Sequence, residues 1–259
     1  MKSPTLLSIL LFATTALRAE PADVLLAAAT DTELQPLIAQ LGSPHTETRA
    51  AWQFWTGTLD GKKVVLTRTE GDPLNAVAAT TLAIRRYSPR LIITFGTARP
   101  HDPALHAGDI VVSGKFAAFD GIVSRVTPLD GGVASATWYR LPHLLATAGE
   151  KETPAYSFPA DSAALAAAKS LQSAHGKVIP GVLGSANQVN LEADRIAWLH
   201  QTWGTSCEDG ESAHVAGCAQ LLGVPVVGLR VIQSADGKPD AAAEKIAGET
   251  ARQLLEAIK

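Results

Sequence analysis

Short, almost wholly apolar segments alternate along this chain with longer segments of helical periodicity, and this alternation restricts the fold more than any other feature. Residues 226–232 carry almost no polar side chain, as expected of a strand whose sheet is covered on both faces. The last segment, residues 241–258, places apolar side chains on one helical face at Ala247, Ala251, Leu254, Leu255 and Ile258. The alternation predicts an α/β domain with a mostly parallel central sheet and helices on both faces.

The predicted elements cover most of the chain. Apolar runs predict strands at residues 24–29, 91–95, 109–119, 178–183 and 226–232. Helical periodicity predicts helices at residues 30–41, 74–87, 160–174, 191–203, 211–222 and 241–258. The dipeptide Asp60-Gly61 between two further strand-like runs predicts a β-hairpin over residues 52–69. Residues 121–158 are rich in Gly, Pro and turn residues and permit no assignment, and no repeat or linker divides the chain.

The first 19 residues have the layout of a secretory signal peptide. Lys2 supplies a positive charge, residues 6–17 are apolar apart from a few Ser and Thr, and Ala19 offers a small residue for cleavage. The alternative, an uncleaved anchor, is disfavoured because the apolar run is shorter than the roughly 20 residues of a membrane span. We therefore expect an exported protein, periplasmic or secreted, with a signal peptide at residues 1–19, one domain at residues 20–259 and no membrane association after cleavage.

Composition narrows the classes of function. A formal net charge of -3 without any Lys or Arg cluster argues against a nucleic-acid partner. The seven histidines form no HExxH pair, and no Cys/His cluster has zinc-site spacing, so we expect no metal and no cofactor. The two cysteines, Cys207 and Cys218, lie at the approach to a predicted helix and within it. Because the geometry of a disulfide is restrictive, we expect two buried free thiols.

Polar or small residues follow the carboxyl ends of several predicted strands. In open α/β sheets, ligands bind beyond these ends. The segments concerned are residues 29–33, 95–99, 184–188, 207–212 and 232–236. The pattern predicts a polar pocket for a small molecule at one edge of the sheet.

The order and spacing of these segments resemble the nucleoside phosphorylase-I superfamily, and within it the methylthioadenosine/S-adenosylhomocysteine nucleosidases. The similarity covers residues 24–258 and is carried by ATDTEL, WTGTLDGKKVVL, EGDPLNAVAATTLAIRRYSPRLIITFGTA, AGDIVVS, GVLGSANQVN and CEDGESAHVAGCAQLLGVPVVGLRVI. The resemblance implies a nucleoside phosphorylase-like fold and hydrolysis of the N-glycosidic bond of a purine riboside. Methylthioadenosine-like and S-adenosylhomocysteine-like substrates fall within that class. It also implies a small-molecule nucleoside as ligand, no cofactor and a homodimer.

The resemblance assigns two glutamates to the sugar side of the bond. In this reaction positive charge develops on the ribose and negative charge on the departing base. Glu211 matches the glutamate that binds the ribose hydroxyls, although a glutamate there also suits the positive end of a helix dipole. Glu33 matches the glutamate that orients the attacking water, although Thr30 and Glu33 also form the pattern of a capping box. Gly210 stands where the family usually has a Met that packs on the sugar.

Other matching positions contact the nucleophile region and the base. Thr97 matches a Ser or Thr near the nucleophile, and Ala98 lies under the ribose or the base. The segment that meets the purine is matched by Asn187, Gln188 and Val189, with Gln188 in place of a stacking aromatic residue. Arg99 stands at a position where the family is rich in glycine, and it either binds an anion or is solvated.

The sequence departs from the family at the acid that protonates the purine. The nucleosidases place an Asp two residues beyond the last Ile of the strand, and this chain has Ser234 there. Losing a general acid costs ~10²–10⁴ in rate. Asp236 either takes over this role or, with Gly237, forms an ordinary turn. A catalytically degenerate nucleoside-binding or storage protein is therefore the alternative to a nucleosidase.

A phosphate-dependent nucleoside phosphorylase is the third alternative. Phosphorylases of this family generally carry an Arg before the Gly of the turn at position 96, where this chain has Thr94 and Phe95. Asp72 replaces the second Gly of the loop that holds the nucleophile, and its carboxylate would repel phosphate. Hydrolysis is therefore favoured over phosphorolysis.

Overall fold

The computed structural model describes residues 21–124, 138–234, 238 and 240–258, and its largest element is a ten-stranded sheet. The strands are β1 Val24–Ala28, β2 Gly42–Arg49, β3 Trp52–Leu59, β4 Lys62–Arg68, β5 Leu91–Pro100, β6 Ile110–Ala118, β7 Ile122–Val123, β8 Tyr139–Arg140, β9 His143–Leu145, β10 Thr153–Ala155, β11 Phe158–Pro159, β12 Val178–Ser185, β13 Cys207–Asp209 and β14 Val226–Ile232. The helices are α1 Asp31–Ile38, α2 Pro73–Tyr87, α3 Ser162–Lys169, α4 Ala193–Trp203, α5 Ser212–Leu221 and α6 Ala241–Ala257. The predicted signal peptide lies outside the described residues.

The large sheet has the strand order β11-β6-β12-β13-β5-β1-β4-β3-β2, and β14 pairs with both β5 and β6. Strands β4, β1, β5 and β14 are parallel to their neighbours in that series. The hairpin of β3 and β4, the outer strand β2 and the short strand β13 add antiparallel pairs. The predicted α/β class is confirmed. The sheet is mixed because antiparallel pairs occur at both edges, through β2, β3 and β11, and in its middle, where β13 pairs with β5 and β14 with β6.

Helices cover both faces of this sheet. On one face α1, α3 and α6 pack through residues such as Leu34, Ala168 and Ala251. On the other face α2 and α5 pack through residues such as Ala83 and Ala213. All seven residues of β14 are buried, which explains why this strand is apolar along its whole length.

Small residues bring α6 close to α1. A Cβ atom at Gly248 would lie 2.5 Å from the backbone carbonyl oxygen of Glu33, so the two helices meet here without a side chain between them. This contact helps to fix the start of α1, from which Glu33 projects. Among the described residues, no helix combines the length and the apolar character needed to cross a bilayer.

Strands β2 and β13 carry no signal in the sequence, and the five short strands β7 to β11 fall in or at the end of the segment that permits no assignment. Strand β2 is polar and almost wholly exposed, and among the described residues its one partner is β3. Strand β13 is three residues long and occupies what reads as the approach to a helix. The two thiols are free and buried, as expected, with Cys207 on β13 and Cys218 on α5.

Candidate functional site

A cavity of about 160 Å³ lies at the edge of the sheet where β1, β5, β13 and β14 end. Four ionisable residues on its wall are central to its chemistry: Glu33, Glu208, Glu211 and Arg230. A larger cavity, of about 690 Å³, lies at the opposite edge, where β1 and β5 begin. The two carboxyl groups with strongly raised pKa values, Glu33 and Glu211, line the smaller cavity. This position beyond the strand ends is the predicted one.

Arg230 is the buried cation of the site. It lies on β14 and is 1% exposed. Its Nε lies 2.9 Å from Oδ2 of Asp209, and its Nη2 lies 3.6 Å from Oε1 of Glu211. Burial alone would lower the pKa of Arg230, but the charges of Asp209, Glu211 and Glu33 outweigh burial and raise it. The guanidinium therefore stays charged and serves as the common counterion of three carboxylates.

The carboxylate of Glu33 is held by backbone groups. Its Oε2 accepts hydrogen bonds from the amides of Ala29 at 2.8 Å and Thr30 at 3.1 Å. Its Oε1 accepts one from the amide of Thr97 at 3.0 Å. The capping box with Thr30 is complete, so Glu33 both caps α1 and lines the cavity. Burial raises its pKa to about 7, against the opposing charge of Arg230.

Glu211 lies at the start of α5 and is 1% exposed. Its Oε2 accepts a hydrogen bond from the Thr69 hydroxyl. Its Oε1 is buried and accepts no hydrogen bond from the described residues. Burial raises the pKa of Glu211 to about 7, with Arg230 opposing. The carboxyl group therefore keeps a free acceptor atom beside the cavity.

Asp209 holds Arg230 in place. Its Oδ1 accepts hydrogen bonds from the Ser185 hydroxyl and from the amides of Glu211 and Ser212. Burial would raise the pKa of Asp209, but Arg230 and these hydrogen bonds hold it below its ordinary value. Asp209 is therefore ionised and has the role of an anchor for Arg230.

A fourth buried carboxylate, Glu208, lines the same cavity. Its two oxygens accept hydrogen bonds from Nε of Arg99 at 3.1 Å and from Nε2 of His101 at 3.0 Å. They also accept hydrogen bonds from the backbone amide of Asn190 at 3.0 Å and from its side-chain amide at 2.6 Å. Burial opposes ionisation, but the hydrogen bonds of His101 and Asn190 hold the pKa of Glu208 below its ordinary value. Glu208 is therefore an acceptor that is fully used and cannot act as an acid.

Two glycines permit the close packing of the cavity walls. A Cβ atom at Gly96 would lie 2.5 Å from Oε1 of Glu33. A Cβ atom at Gly210 would lie 2.0 Å from the carbonyl oxygen of Gly71. The backbone at Gly71 thus occupies the space beside residue 210, at the position where the family usually has a Met side chain.

The structure brings part of the predicted site together. Glu33, Thr97, Ala98, Gly210 and Glu211 all line the cavity. The segment assigned to the purine does not line it, and its side chains are exposed at Asn187, Gln188 and Val189. Ser234 is exposed, and Asp236 lies outside the described residues. Arg99 is not simply solvated, because its Nε pairs with Glu208.

Sequence reasoning missed Arg230, Asp209 and Glu208. The signal for Arg230 was present, since a single charged residue interrupts the apolar strand VVGLRVI. A charge in such a run requires buried partners. Asp209 and Glu208 lie beside Glu211 in the sequence, but nothing in CEDGES indicates which acid faces the cavity.

The arrangement suits chemistry on a small polar molecule near neutral pH. Two carboxyl groups with pKa values near 7 are balanced between the acid and the base form, which is optimal for proton transfer. Ionised carboxylates beside a cavity also stabilise positive charge that develops in a bound molecule.

Comparisons with known proteins point to one family. A family model described as "Phosphorylase superfamily" matches residues 23–259. The 5′-methylthioadenosine/S-adenosylhomocysteine nucleosidase of Shewanella sp. (strain W3-18-1) is 30% identical over 205 residues, which cover 78% of this chain and 81% of that protein.

Two solved structures of nucleosidases with the same name share the fold. The enzyme from S. pneumoniae, with a transition-state inhibitor, has a TM-score of 0.74 at 17% identity, covering 91% of this chain and 99% of that one. The enzyme from Colwellia psychrerythraea 34H, in complex with adenine, has a TM-score of 0.73 at 22% identity, covering 93% and 96%. At these identities the likeness establishes a common fold.

Proposed function

This chain belongs to the phosphorylase superfamily, and from that membership we propose that it is a hydrolase that cleaves the N-glycosidic bond of a purine riboside. The observation that carries the proposal is the pair of buried carboxyl groups, Glu33 and Glu211, that meet in one cavity around Arg230. Burial raises the pKa of each to about 7. The named relatives are nucleosidases of methylthioadenosine and S-adenosylhomocysteine, and such ribosides are within the proposed substrate class.

The two carboxylates divide the work on the sugar side. The free Oε1 of Glu211 accepts a hydrogen bond from a ribose hydroxyl, and its charge stabilises the oxocarbenium ion that forms at C1′. Glu33 accepts a proton from the attacking water. The water oxygen bonds to C1′, the bond from C1′ to the base nitrogen breaks, and its electron pair leaves with the base.

Water, and not phosphate, is the proposed nucleophile. The hydroxyl of Thr94 is already occupied, since it accepts a hydrogen bond from Nη2 of Arg230 at 3.1 Å. Asp72 caps α2 by accepting hydrogen bonds from the amides of Leu74 and Asn75, so a carboxylate lies at the loop where phosphate would need cations. Neither residue offers a positive charge to a phosphate ion.

A nucleoside-binding protein without turnover is the competing function. The observation in its favour is Ser234, whose hydroxyl is a very weak acid and whose side chain is exposed at the position of the family's leaving-group acid. The two functions predict the same ligand and differ in whether base is released.

Release of purine base distinguishes these functions. The purified protein is incubated with adenosine, inosine, methylthioadenosine and S-adenosylhomocysteine, with and without phosphate, and free base is measured by chromatography. We expect release without phosphate, lost in Glu33→Gln and Glu211→Gln and retained in the exposed control Glu150→Gln. Release that requires phosphate would indicate a phosphorylase. If no riboside releases its base but calorimetry detects binding of the ribosides, the protein is a nucleoside-binding protein without turnover.

We also propose export, with residues 1–19 as the signal peptide of a periplasmic or secreted protein. The support is the sequence layout around Lys2 and Ala19, together with a family match that begins only at residue 23. N-terminal sequencing of the protein recovered outside the cytoplasm tests this. A start at Met1 in the recovered protein would contradict it.

A homodimer is the proposed assembly. An apolar cavity of about 270 Å³ opens between α2 and α5, and its rim carries the exposed side chains of Val77, Leu221 and Leu222. Large apolar side chains grouped on a surface are typical of an interface between subunits. Light scattering coupled to size-exclusion chromatography should give twice the chain mass, and Leu221→Asp should reduce it. A monomer at micromolar concentration would contradict the proposal.

A further inference from the structure

Arg99 lies one strand step beyond the residue that contacts Glu33. Thr97 donates its amide to Glu33, and Arg99 follows two residues later on β5. Side chains two residues apart on a strand lie on the same face, roughly 7 Å apart. Both residues line the cavity. Arg99 therefore extends the cavity wall that begins where Thr97 contacts Glu33, and it lies beyond that contact.

Glu208 fixes the direction of this guanidinium. It is the direct partner of Arg99 in the antiparallel register of β13 with β5, and its Oε1 accepts Nε of Arg99 at 3.1 Å. The Arg99 side chain is 17% exposed. Its two terminal nitrogens have no hydrogen-bond partner among the described residues. Four N–H groups on a well-anchored cation are thus available to a ligand in the cavity.

The guanidinium of Arg99 can donate hydrogen bonds but cannot accept them. A guanidinium has five N–H donors and no acceptor. A 6-oxopurine presents two acceptors on one edge, O6 and N7, which a guanidinium can contact with two parallel hydrogen bonds. A 6-aminopurine presents the N7 acceptor beside an amino donor, and the amino group cannot pair with a guanidinium.

The other carboxylates near this wall do not supply the missing acceptor. Glu208 already accepts four hydrogen bonds, and Asp209 is engaged by Arg230, Ser185 and two amides. An amino group at position 6 of the base would therefore find no unoccupied carboxylate oxygen at this wall. Ser234, in place of an Asp, does not restore a carboxylate at this side of the site.

We propose that Arg99 binds the O6 and N7 edge of the base, so that the substrates are ribosides of 6-oxopurines, such as inosine or guanosine, in preference to those of 6-aminopurines. This inference rests on the proposed function and specifies its substrate class. Arg99 also acts in the reaction. When the bond from C1′ to the base breaks, the electron pair leaves with the purine and spreads onto O6 and N7, where the guanidinium stabilises it. The base departs as the anion and takes a proton from solvent.

The test compares inosine with adenosine, which differ only in the group at position 6. We expect kcat/KM to be about 10- to 100-fold higher for inosine, the range of discrimination that one bidentate contact provides. Arg99→Gln should lower kcat/KM for inosine by about 100-fold or more. It should bring the ratio of inosine to adenosine to one or below, because a Gln side chain can pair with N6 and N7 of adenine. Arg99→Lys, which keeps the charge and loses the fork, should retain part of the rate with a smaller ratio. Arg90→Gln, at a side chain 77% exposed, is the matched control.

Binding of free bases provides a second measurement that needs neither variant nor turnover. Calorimetry on the unaltered protein should give a Kd for hypoxanthine at least about 10-fold below that for adenine. If base is released but kcat/KM for inosine is equal to or lower than that for adenosine, the inference is overturned and the proposed hydrolase activity is retained. If no riboside is cleaved, the proposed function fails, and equal or tighter binding of adenine would then overturn the inference by itself. An unchanged ratio in a folded Arg99→Gln protein would also overturn it.

Discussion

Replacing Arg230 with Gln tests the electrostatic account of the site. The substitution leaves three buried carboxyl groups, Glu33, Asp209 and Glu211, without their common counterion. Removing one partner of a buried ion pair costs about 3–5 kcal/mol. We therefore expect Arg230→Gln to lose about 3–5 kcal/mol of unfolding free energy at pH 8.

The loss should depend on pH in a defined direction. Glu33 and Glu211 have pKa values near 7 in the folded protein and an ordinary value of 4.5 when unfolded. The folded state therefore binds more protons between these values, and stability falls as pH rises through this window. Without Arg230 both folded pKa values rise further, so the window widens upward. At pH 8 this rise adds at most about 1.4 kcal/mol per carboxyl to the loss relative to pH 5.5, because the effect saturates once the folded pKa exceeds 8.

Urea unfolding followed by tryptophan fluorescence measures this. With a urea slope of about 3 kcal/mol per molar, the expected loss moves the midpoint down by roughly 1–2 M at pH 8. The shift should be clearly smaller at pH 5.5, where the two glutamates are protonated. Arg90→Gln should stay within about 0.5 kcal/mol at both pH values. An equal loss for Arg230→Gln at pH 5.5 and pH 8 would refute the proposed coupling.

Three further results are expected. The kcat/KM of base release should fall below pH 7 with a logarithmic slope between one and two, because Glu33 and Glu211 take up protons there; a flat profile from pH 5.5 to 8 would contradict this. Gly210→Met should lower the Tm by roughly 2–10 °C in calorimetry, because its Cβ would lie 2.0 Å from the carbonyl oxygen of Gly71; an unchanged Tm would show that the loop yields freely. Ser234→Asp should raise kcat/KM for adenosine by about 10-fold or more, since it adds an acid and an acceptor; unchanged adenosine release would place residue 234 away from the base.

The parts of the fold that the sequence predicted are those with strong periodicity. Strands β1, β5 and β14 and helix α6 are apolar on the faces they bury, so their patterns are sufficient. Strand β2 was missed because it is an exposed edge, where pairing comes from the backbone and leaves no mark on side chains.

The candidate site was predictable to the extent that it follows strand ends. Glu33, Thr97 and Glu211 were identified by position, and all three line the cavity. The roles of Arg99 and Glu208 were not predictable, because they depend on β13 returning antiparallel beside β5. Such a long-range pairing has no local sequence signal, and only the register joins these two residues.

The backbone contacts of Glu33 make the position of the proposed general base independent of the side chains that select the nucleoside. Its carboxylate is fixed by main-chain amides at Ala29, Thr30 and Thr97, and these amides persist whatever side chains the same positions carry. Substitutions elsewhere around the cavity, such as those at residues 99 or 208, can therefore accumulate without removing the amides that hold Glu33. The same backbone can therefore keep the proposed general base in place while the side chains that select the nucleoside change.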